Sequence, residues 1–333
     1  MAVDIPNYRV VEKLGEGAQT RLYRARCMRT GKDYTIKIIK VKAPEDAGFV
    51  DLLRTEHAIG STMDHPVIRK VYELRITRQR LRVRGAILFM EYVAGVAMSD
   101  KAFQRPLGEI LELFCQAAEG LRAMHLAGWV HADLKPNNIL VTSDDRVKLI
   151  DLGQSSRMHE AKTRVQGTID YIAPEQVQRG ILDQRTDVFG LGAALHRVVT
   201  GKPVATEMNQ TVSIHSQGLI GKRVSDIRHE AKAELPTCVA RLIDDCCQSD
   251  PAARLPDMTA VLDRLNMART ILARQAAQDP SALDVDEAYE DGEYEDGDHA
   301  DGEYEDDDSV SVEPALGELG PAEDEDDSVD LDA

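Results

Sequence analysis

The stretch His131-Ala132-Asp133-Leu134-Lys135-Pro136-Asn137-Asn138-Ile139-Leu140, followed by Lys148-Leu149-Ile150-Asp151-Leu152-Gly153, decides the reading of this chain. A carboxylate, an ammonium and an amide fall within six residues on a loop. A second carboxylate ends the next strand-like run, directly before a glycine. The set suits Mg²⁺ and phosphate chemistry. Asn138 and Asp151 offer hard oxygen ligands. Lys135 can neutralise a transferring phosphoryl group, and Asp133 can orient an attacking hydroxyl and accept its proton.

Upstream of this loop, Leu107, Ile110, Leu111, Phe114, Ala117, Ala118, Leu121 and Met124 recur at helical spacing, which predicts a long buried helix after Pro106. Earlier the period is two. Residues 8–42 alternate apolar and polar, with turn signals at Gly15–Gly17 and Thr30-Gly31, predicting a three-strand antiparallel meander. A helix over 46–63 ends before His65-Pro66, and strands follow over 67–77 and 86–93. Short strands at 138–141 and 147–150 flank the second half of the deciding stretch. After a long loop, helical patterns resume at 186–200, 237–247 and 257–273. Strands first and helices afterwards argue for an α+β chain with two lobes.

Two segments of the first half carry chemistry. Leu14-Gly15-Glu16-Gly17-Ala18-Gln19-Thr20-Arg21-Leu22 lies between two strands. Glycines let a backbone pass close to phosphate oxygens, although the segment alone equally fits an ordinary hairpin. Lys37 sits inside the apolar run Tyr34–Ile39. A buried ammonium needs a partner, and Glu56 in the following helix is the candidate. Taken alone, Lys37 also fits the solvent face of an alternating strand.

Together these motifs, in this order, resemble the eukaryotic-like Ser/Thr protein kinases found in bacteria, over residues 8–272. The resemblance implies a two-lobed protein kinase fold. A small antiparallel β lobe with one helix would span 8–93, and a larger, mostly helical lobe 94–272. Gly15-x-Gly17 resembles the Gly-rich loop, Lys37 the phosphate-anchoring lysine and Glu56 its helix partner. Met90-Glu91-Tyr92-Val93 resembles the gatekeeper and hinge, whose backbone at Glu91 and Val93 would bind adenine. His131-Ala132-Asp133 matches the catalytic loop, Asp151-Leu152-Gly153 the metal-binding motif, and Gly167 to Glu175 the end of the activation segment. Asp187 to Gly192 resembles the large-lobe core helix that pins the catalytic loop, and Arg254 the arginine that pairs with Glu175.

The resemblance implies an ATP- and Mg²⁺-dependent kinase acting on Ser/Thr hydroxyls of proteins, itself included. Its catalytic set would be Asp133, Lys135, Lys37, Glu56 and Thr168. Its nucleotide set would be Leu14, Gly15, Gly17, Leu22, Thr35, Lys37, Met90, Glu91, Val93, Asn138, Leu140 and Asp151, with Asn138 and Asp151 holding the metal. Lys135 and Thr168 resemble Ser/Thr rather than Tyr kinases.

Four departures carry expectations of their own. Thr20 replaces the third glycine of the loop, and Thr35 stands where the family usually has alanine. Ala132 replaces the arginine that commonly precedes the catalytic Asp. A phosphorylated activation segment then lacks its usual counter-charge, so activity should not hinge on phosphorylating Ser155, Ser156 or Thr163. Gly60 takes the place of a bulky apolar residue. It should leave a gap and loosen its helix by about 1 kcal/mol, so that the active arrangement is weakly populated. Two other readings share part of the pattern. A small-molecule phosphotransferase of the aminoglycoside or choline kinase type has the Asp-x-x-x-x-Asn loop but lacks Ala173-Pro174-Glu175. A pseudokinase scaffold would bind partners through the fold and the tail, yet every residue that handles metal or phosphate is present.

The chain has 333 residues, 43% of them hydrophobic. That excludes a disulfide-stapled mini-protein and a wholly disordered chain. The net charge of −18 is uneven: residues 279–333 hold 25 acids and no Lys or Arg, so the remainder carries 40 basic against 33 acidic residues. Asp-Gly-Glu-Tyr-Glu-Asp occurs at 291–296 and again at 301–306. Such a segment cannot offset its ordering entropy, and 278–333 reads as a disordered acidic tail. Residues 69–84 carry Arg69, Lys70, Arg75, Arg78, Arg80, Arg82 and Arg84 against Glu73 alone. On a strand, Arg80, Arg82 and Arg84 would form one basic face that the tail could reach. No apolar segment follows Met1, the stretch Gly85–Met98 is broken by Glu91, and no membrane insertion or nucleic-acid partner is expected. Five cysteines without a CxxC pair predict a reducing, cytoplasmic setting. The histidines show no metal-ligand spacing.

Overall fold

The computed structural model describes residues 5–17, 19–43, 46–80, 82–162, 164–204 and 235–278. The segment read as a tail, Gln278 apart, lies outside the described residues, as does Thr163. The small lobe comprises β1 (Tyr8–Glu16), β2 (Thr20–Cys27), β3 (Asp33–Lys40), α1 (Ala47–Gly60), β4 (Val71–Gln79) and β5 (Arg82–Glu91). Its sheet runs β1-β2-β3-β5-β4 with antiparallel pairing throughout.

The sheet buries apolar side chains on both faces. Val50 and Leu53 of α1 pack with Ile39, Val71, Ala86, Leu88 and Met90. Ile36 and Ile38 point the other way, as period two requires, and join Ile5, Tyr23, Ala25 and Phe89. Tyr8 sits edge-on to Tyr34 at 5.5 Å and tilted on Phe89 at 5.0 Å.

The large lobe follows with β6 (Gly95–Ala97), α2 (Leu107–Leu126), β7 (Trp129–Val130), β8 (Ile139–Thr142), β9 (Val147–Leu149), β10 (Ser156–Arg157), α3 (Pro174–Val177), α4 (Gln184–Thr200), α5 (Thr237–Cys246) and α6 (Met258–Ala277). The stripe on α2 is buried as its spacing predicts, with Leu111, Phe114, Ala117, Ala118, Leu121 and Met124 inaccessible to solvent. It packs with Val188, Leu191 and Leu195 of α4 and Val261, Leu262 and Leu265 of α6. Strands β6, β8 and β9 form a small sheet that carries both ends of the deciding stretch.

Three expectations change. The strand expected over 67–77 begins at Val71. Residues before it leave the small-lobe sheet and stitch to β9, with Leu149 donating to the Val67 carbonyl at 2.7 Å and Arg69 to the Leu149 carbonyl at 3.1 Å. Gly60 leaves no gap: a Cβ there would lie 2.3 Å from Val71 Cγ2 and 3.2 Å from the Arg69 carbonyl. Val71 occupies the space, and the glycine lets α1 close on β4. The basic face is also smaller. Arg80 is at the hairpin turn with φ +55°, Arg69 is buried, Lys70 pairs with Asp64, and Arg75 pairs with Glu73 over the Phe89 ring. Arg78, Arg80, Arg82 and Arg84 remain exposed around the turn.

Among the described residues, no helix is long and apolar enough to cross a membrane. No disulfide joins any two of the five cysteines; Cys246 is buried and Cys247 half-buried.

Candidate active site

Strand register brings one group of side chains to a common face. Lys37 lies opposite Leu22 on one side and Leu88 on the other, and Thr35 opposite Met90. Directly paired residues share a face, so Leu22, Thr35, Lys37 and Met90 line the same side of the sheet. Thr35 and Met90 are buried. Between β1 and β2 the Gly17 amide donates to the Thr20 carbonyl at 2.8 Å. A Cβ at Gly15 or Gly17 would meet nothing within 4 Å, so neither glycine is demanded by the fold's own packing. Leu14 beside them is exposed. β5 ends at Glu91, whose side chain accepts from Lys148 at 2.9 Å and from the Lys70 amide at 3.1 Å. Val93 follows in the link to β6, and Leu140 lies on β8 opposite Ala97 and Lys148.

Lys37 Nζ sits between two carboxylates, 2.9 Å from Glu56 Oε2 and 2.7 Å from Asp151 Oδ1. Burial pulls this ammonium down, but the charges of Glu56 and Asp151 outweigh it and hold the group above its ordinary value. Burial likewise pushes the Asp151 carboxyl up, and Lys37, Arg69 and Lys135 more than reverse that. Glu56 is 1% exposed and has a second cation: Arg69 Nη2 donates to its Oε1 at 2.8 Å. Asp151 itself holds a left-handed backbone, φ +61°.

In the large lobe the Asp133 carboxylate gathers four donors. Lys135 Nζ lies 2.9 Å from Oδ2, with Gln154 Nε2 at 3.3 Å and Asn138 Nδ2 at 3.4 Å. Thr168 Oγ1 donates to Oδ1 at 3.1 Å and accepts from Lys135 Nζ at 2.8 Å. Asn138 Nδ2 also donates to the Asp133 carbonyl at 2.8 Å, so its nitrogen is spent inside the loop and its oxygen is the atom left for a cation. Among the described residues no group of three His, Cys, Asp or Glu could hold a metal. A donor set limited to Asp151 and Asn138 suits Mg²⁺, which takes one or two protein oxygens and completes its shell with phosphate and water.

The loop is held from beneath. Asp187 of α4, 1% exposed, accepts from the His131 and Ala132 amides and from His125 Nε2, each at 2.8 Å. Gln176 Nε2 donates to the Ala132 carbonyl at 2.8 Å while its Oε1 accepts from the Ala173 amide at 3.0 Å. Glu175 and Arg254 form a forked pair with both N···O distances 2.8 Å. Lys162 donates to the Gln154 carbonyl, and burial brings its ammonium down to about 8 against the pull of Asp133 and Asp187.

Sequence reading missed Arg69, Gln154, Gln176, Lys162 and the role of His125. In the sequence Arg69 reads as part of a basic run over 69–84. Its one sequence signal is a cation wedged among Val67, Ile68 and Val71.

Residues 8–265 match the family model of the protein kinase domain. A probable serine/threonine-protein kinase of Clostridium acetobutylicum is 27% identical over 268 residues, 78% of this chain and 39% of that protein. The serine/threonine-protein kinase PknB of Mycolicibacterium smegmatis is 30% identical over 207 residues, 59% of this chain and 33% of that protein. The serine/threonine-protein kinase PknA of Mycobacterium tuberculosis is 29% identical over 255 residues, covering 74% and 58%. The chain thus spans between a third and three fifths of the length of these relatives.

Proposed function

Because the chain belongs to the protein kinase domain family, whose members use ATP and typically Mg²⁺, we propose that it transfers the ATP γ-phosphoryl group to Ser/Thr hydroxyls of proteins, its own included. The kinase domain would span 8–272. The observation that supports this best is the Asp133 carboxylate, whose two oxygens are aimed by Lys135, Asn138, Gln154 and Thr168. Mg²⁺·ATP, when bound, would supply the phosphoryl group, and the metal would offset the negative charge of its phosphates. Leu22, Thr35, Met90 and the backbone at Glu91 and Val93 would seat the base, with Leu14 and Leu140 closing on it. Gly15 and Gly17 leave the phosphates room. Lys37, fixed by Glu56, would hold phosphate oxygens, and Asp151 and Asn138 the metal. Asp133 would take the proton of the attacking hydroxyl while Lys135 screens the charge that builds on the transferred group. The test is ATP consumption with a generic basic protein, followed by phosphoamino-acid analysis. Phosphoserine or phosphothreonine is expected. ATP binding without transfer would favour a scaffold, and transfer only to small alcohols a small-molecule enzyme.

Activation should be insensitive to the serines that follow Gln154. Ser155 and Ser156 have hydroxyl oxygens that are buried with no partner among the described residues. Replacing such a group by alanine removes an unsatisfied atom and is close to neutral. Ser155→Ala with Ser156→Ala is expected to cost less than about tenfold in rate, because a buried unpaired hydroxyl contributes little. Thr168→Ala strips the hydroxyl that bridges Asp133 and Lys135 and should cost more. A triple variant adding Thr163→Ala, assayed alongside, would expose a sensing group if it alone lost activity.

We further propose that residues 279–333 are attracted to the exposed Arg78, Arg80, Arg82 and Arg84. A tether supplies an effective concentration of roughly mM, and such contacts are screened beyond about 8–10 Å at physiological salt. Phosphorylating Ser309, Ser311 or Ser328 would add negative charge and tighten the attraction. Deleting 279–333 is expected to change activity at low salt, with the difference shrinking as salt rises. Equal activities across the whole salt series would rule the attraction out. Cysteines without a disulfide and ATP as co-substrate support a cytoplasmic setting.

A further inference from the structure

Arg69 is buried, 5% exposed, in a place where its charge acts on the candidate phosphate site. The Glu56 carboxylate takes one cation on each oxygen: Arg69 Nη2 on Oε1 at 2.8 Å and Lys37 Nζ on Oε2 at 2.9 Å. The Arg69 amide donates to the Leu149 carbonyl, and its neighbour Ile68 bridges the same residue, two positions before Asp151. One residue therefore ties Glu56 of α1 to the strand that delivers Asp151. The charges also balance. Lys37 and Arg69 face Glu56 and Asp151, whereas an apolar residue at 69 would leave one ammonium against two carboxylates. At the start of α1 no acidic residue lies in the first turn and no side chain caps the N-terminus, so the helix is held by Val50 and Leu53 packed on the sheet and by the ion pairs of Glu56.

Resting on the kinase reading, we propose that Arg69 is a positioning residue. It holds Glu56, and through it α1 and Lys37, in the phosphate-binding arrangement before nucleotide arrives and without a phosphate on the activation segment. A device of this kind fits a catalytic loop whose residue 132 is alanine. It also fits an α1 that closes on Val71 through Gly60.

The test compares the full chain with Arg69→Met and Arg69→Lys. Met keeps length and apolar volume but removes the charge, while Lys returns a charge without the fork. Without nucleotide, amide exchange across 47–60 should quicken in Arg69→Met while α2 and α6 keep wild-type protection. The ATP KM should rise by about tenfold, with kcat falling less, because the uncompensated carboxylate repels phosphate. Lys should restore part of both. A purely structural role would instead lower the active fraction, reducing kcat at unchanged KM. Unchanged KM and unchanged exchange in Arg69→Met, or a Lys variant no better than Met, would overturn the proposal. If the wild type transfers no phosphate, the kinase reading fails, while the exchange comparison still decides whether Arg69 holds α1. Should Arg69→Met not fold, adding Glu56→Gln removes the orphaned charge. Recovery of folding would support the pairing, and no recovery would refute it.

Discussion

Asp133→Asn is expected to abolish phosphoryl transfer while leaving ATP affinity almost unchanged. The side chain keeps its size but loses the oxygen pair around which Lys135, Thr168, Gln154 and Asn138 are arranged. An amide presents its own N–H₂ to some of those donors and cannot take up the hydroxyl proton. Loss of a general base alone costs on the order of 10²–10⁴ in rate, and the loss of aim adds to it. ATP should still bind, since Lys37, Asp151 and the face formed by Leu22, Thr35 and Met90 are untouched. Asp151→Asn should behave in the opposite way, because it removes an oxygen proposed to hold the metal and half of the hold on Lys37. Calorimetric titration of Mg²⁺·ATP beside an autophosphorylation assay separates the two. An Asp133→Asn protein that labels itself at the wild-type rate would show that another group accepts the proton.

Much of this arrangement could be read from order along the chain. Asp133, Lys135 and Asn138 are local neighbours, and Asp151 is set by a single short hairpin, β8–β9. Lys37 and Glu56 are joined by one strand-to-helix step. What escaped the sequence needed tertiary knowledge. Gln176 serves a carbonyl 44 residues upstream, and His125 a carboxylate 62 residues downstream. Neither carries a periodic signal, because a single buried polar contact has none. Arg69 differs: a cation in the basic run 69–84 reads as surface charge, and only the link from α1 past β9 to β4 turns it inward. Helix propensity alone predicts a gap at Gly60, because propensity takes no account of the neighbour across the helix. The residue that prevents a void is Val71, eleven positions later.

Asp187 holds the backbone of the loop that carries Asp133, accepting the His131 and Ala132 amides. Ala132 sits at φ +60°, a left-handed conformation that costs a non-glycine residue about 1–2 kcal/mol. Asp187 offsets that cost by accepting the successive amides of His131 and Ala132 together with His125 Nε2. Asp187→Ala leaves three buried donors without an acceptor. Breaking a buried charged network of this kind costs about 3–5 kcal/mol, which lowers Tm by on the order of 10 °C for a body of this size. Ala132 would then relax toward negative φ and swing Asp133 away from Thr168, so the rate should fall even where the protein remains folded. The pH dependence gives an independent check. Burial pushes the Asp187 carboxyl up, but the hydrogen bond and charge of His125, the charge of His131 and the Ala132 amide outweigh it, so its folded value lies below the ordinary one. A carboxyl depressed by folding stabilises the native state above its unfolded value of about 3.8–3.9. That contribution is lost as pH falls through the lower folded value. Thermal unfolding of wild type and Asp187→Ala should therefore differ most near neutrality and converge in acid. A constant difference down to pH 3, or a Tm within about 2 °C of wild type at pH 7, would mean that the loop is held by Gln176 and its own hydrogen bonds instead.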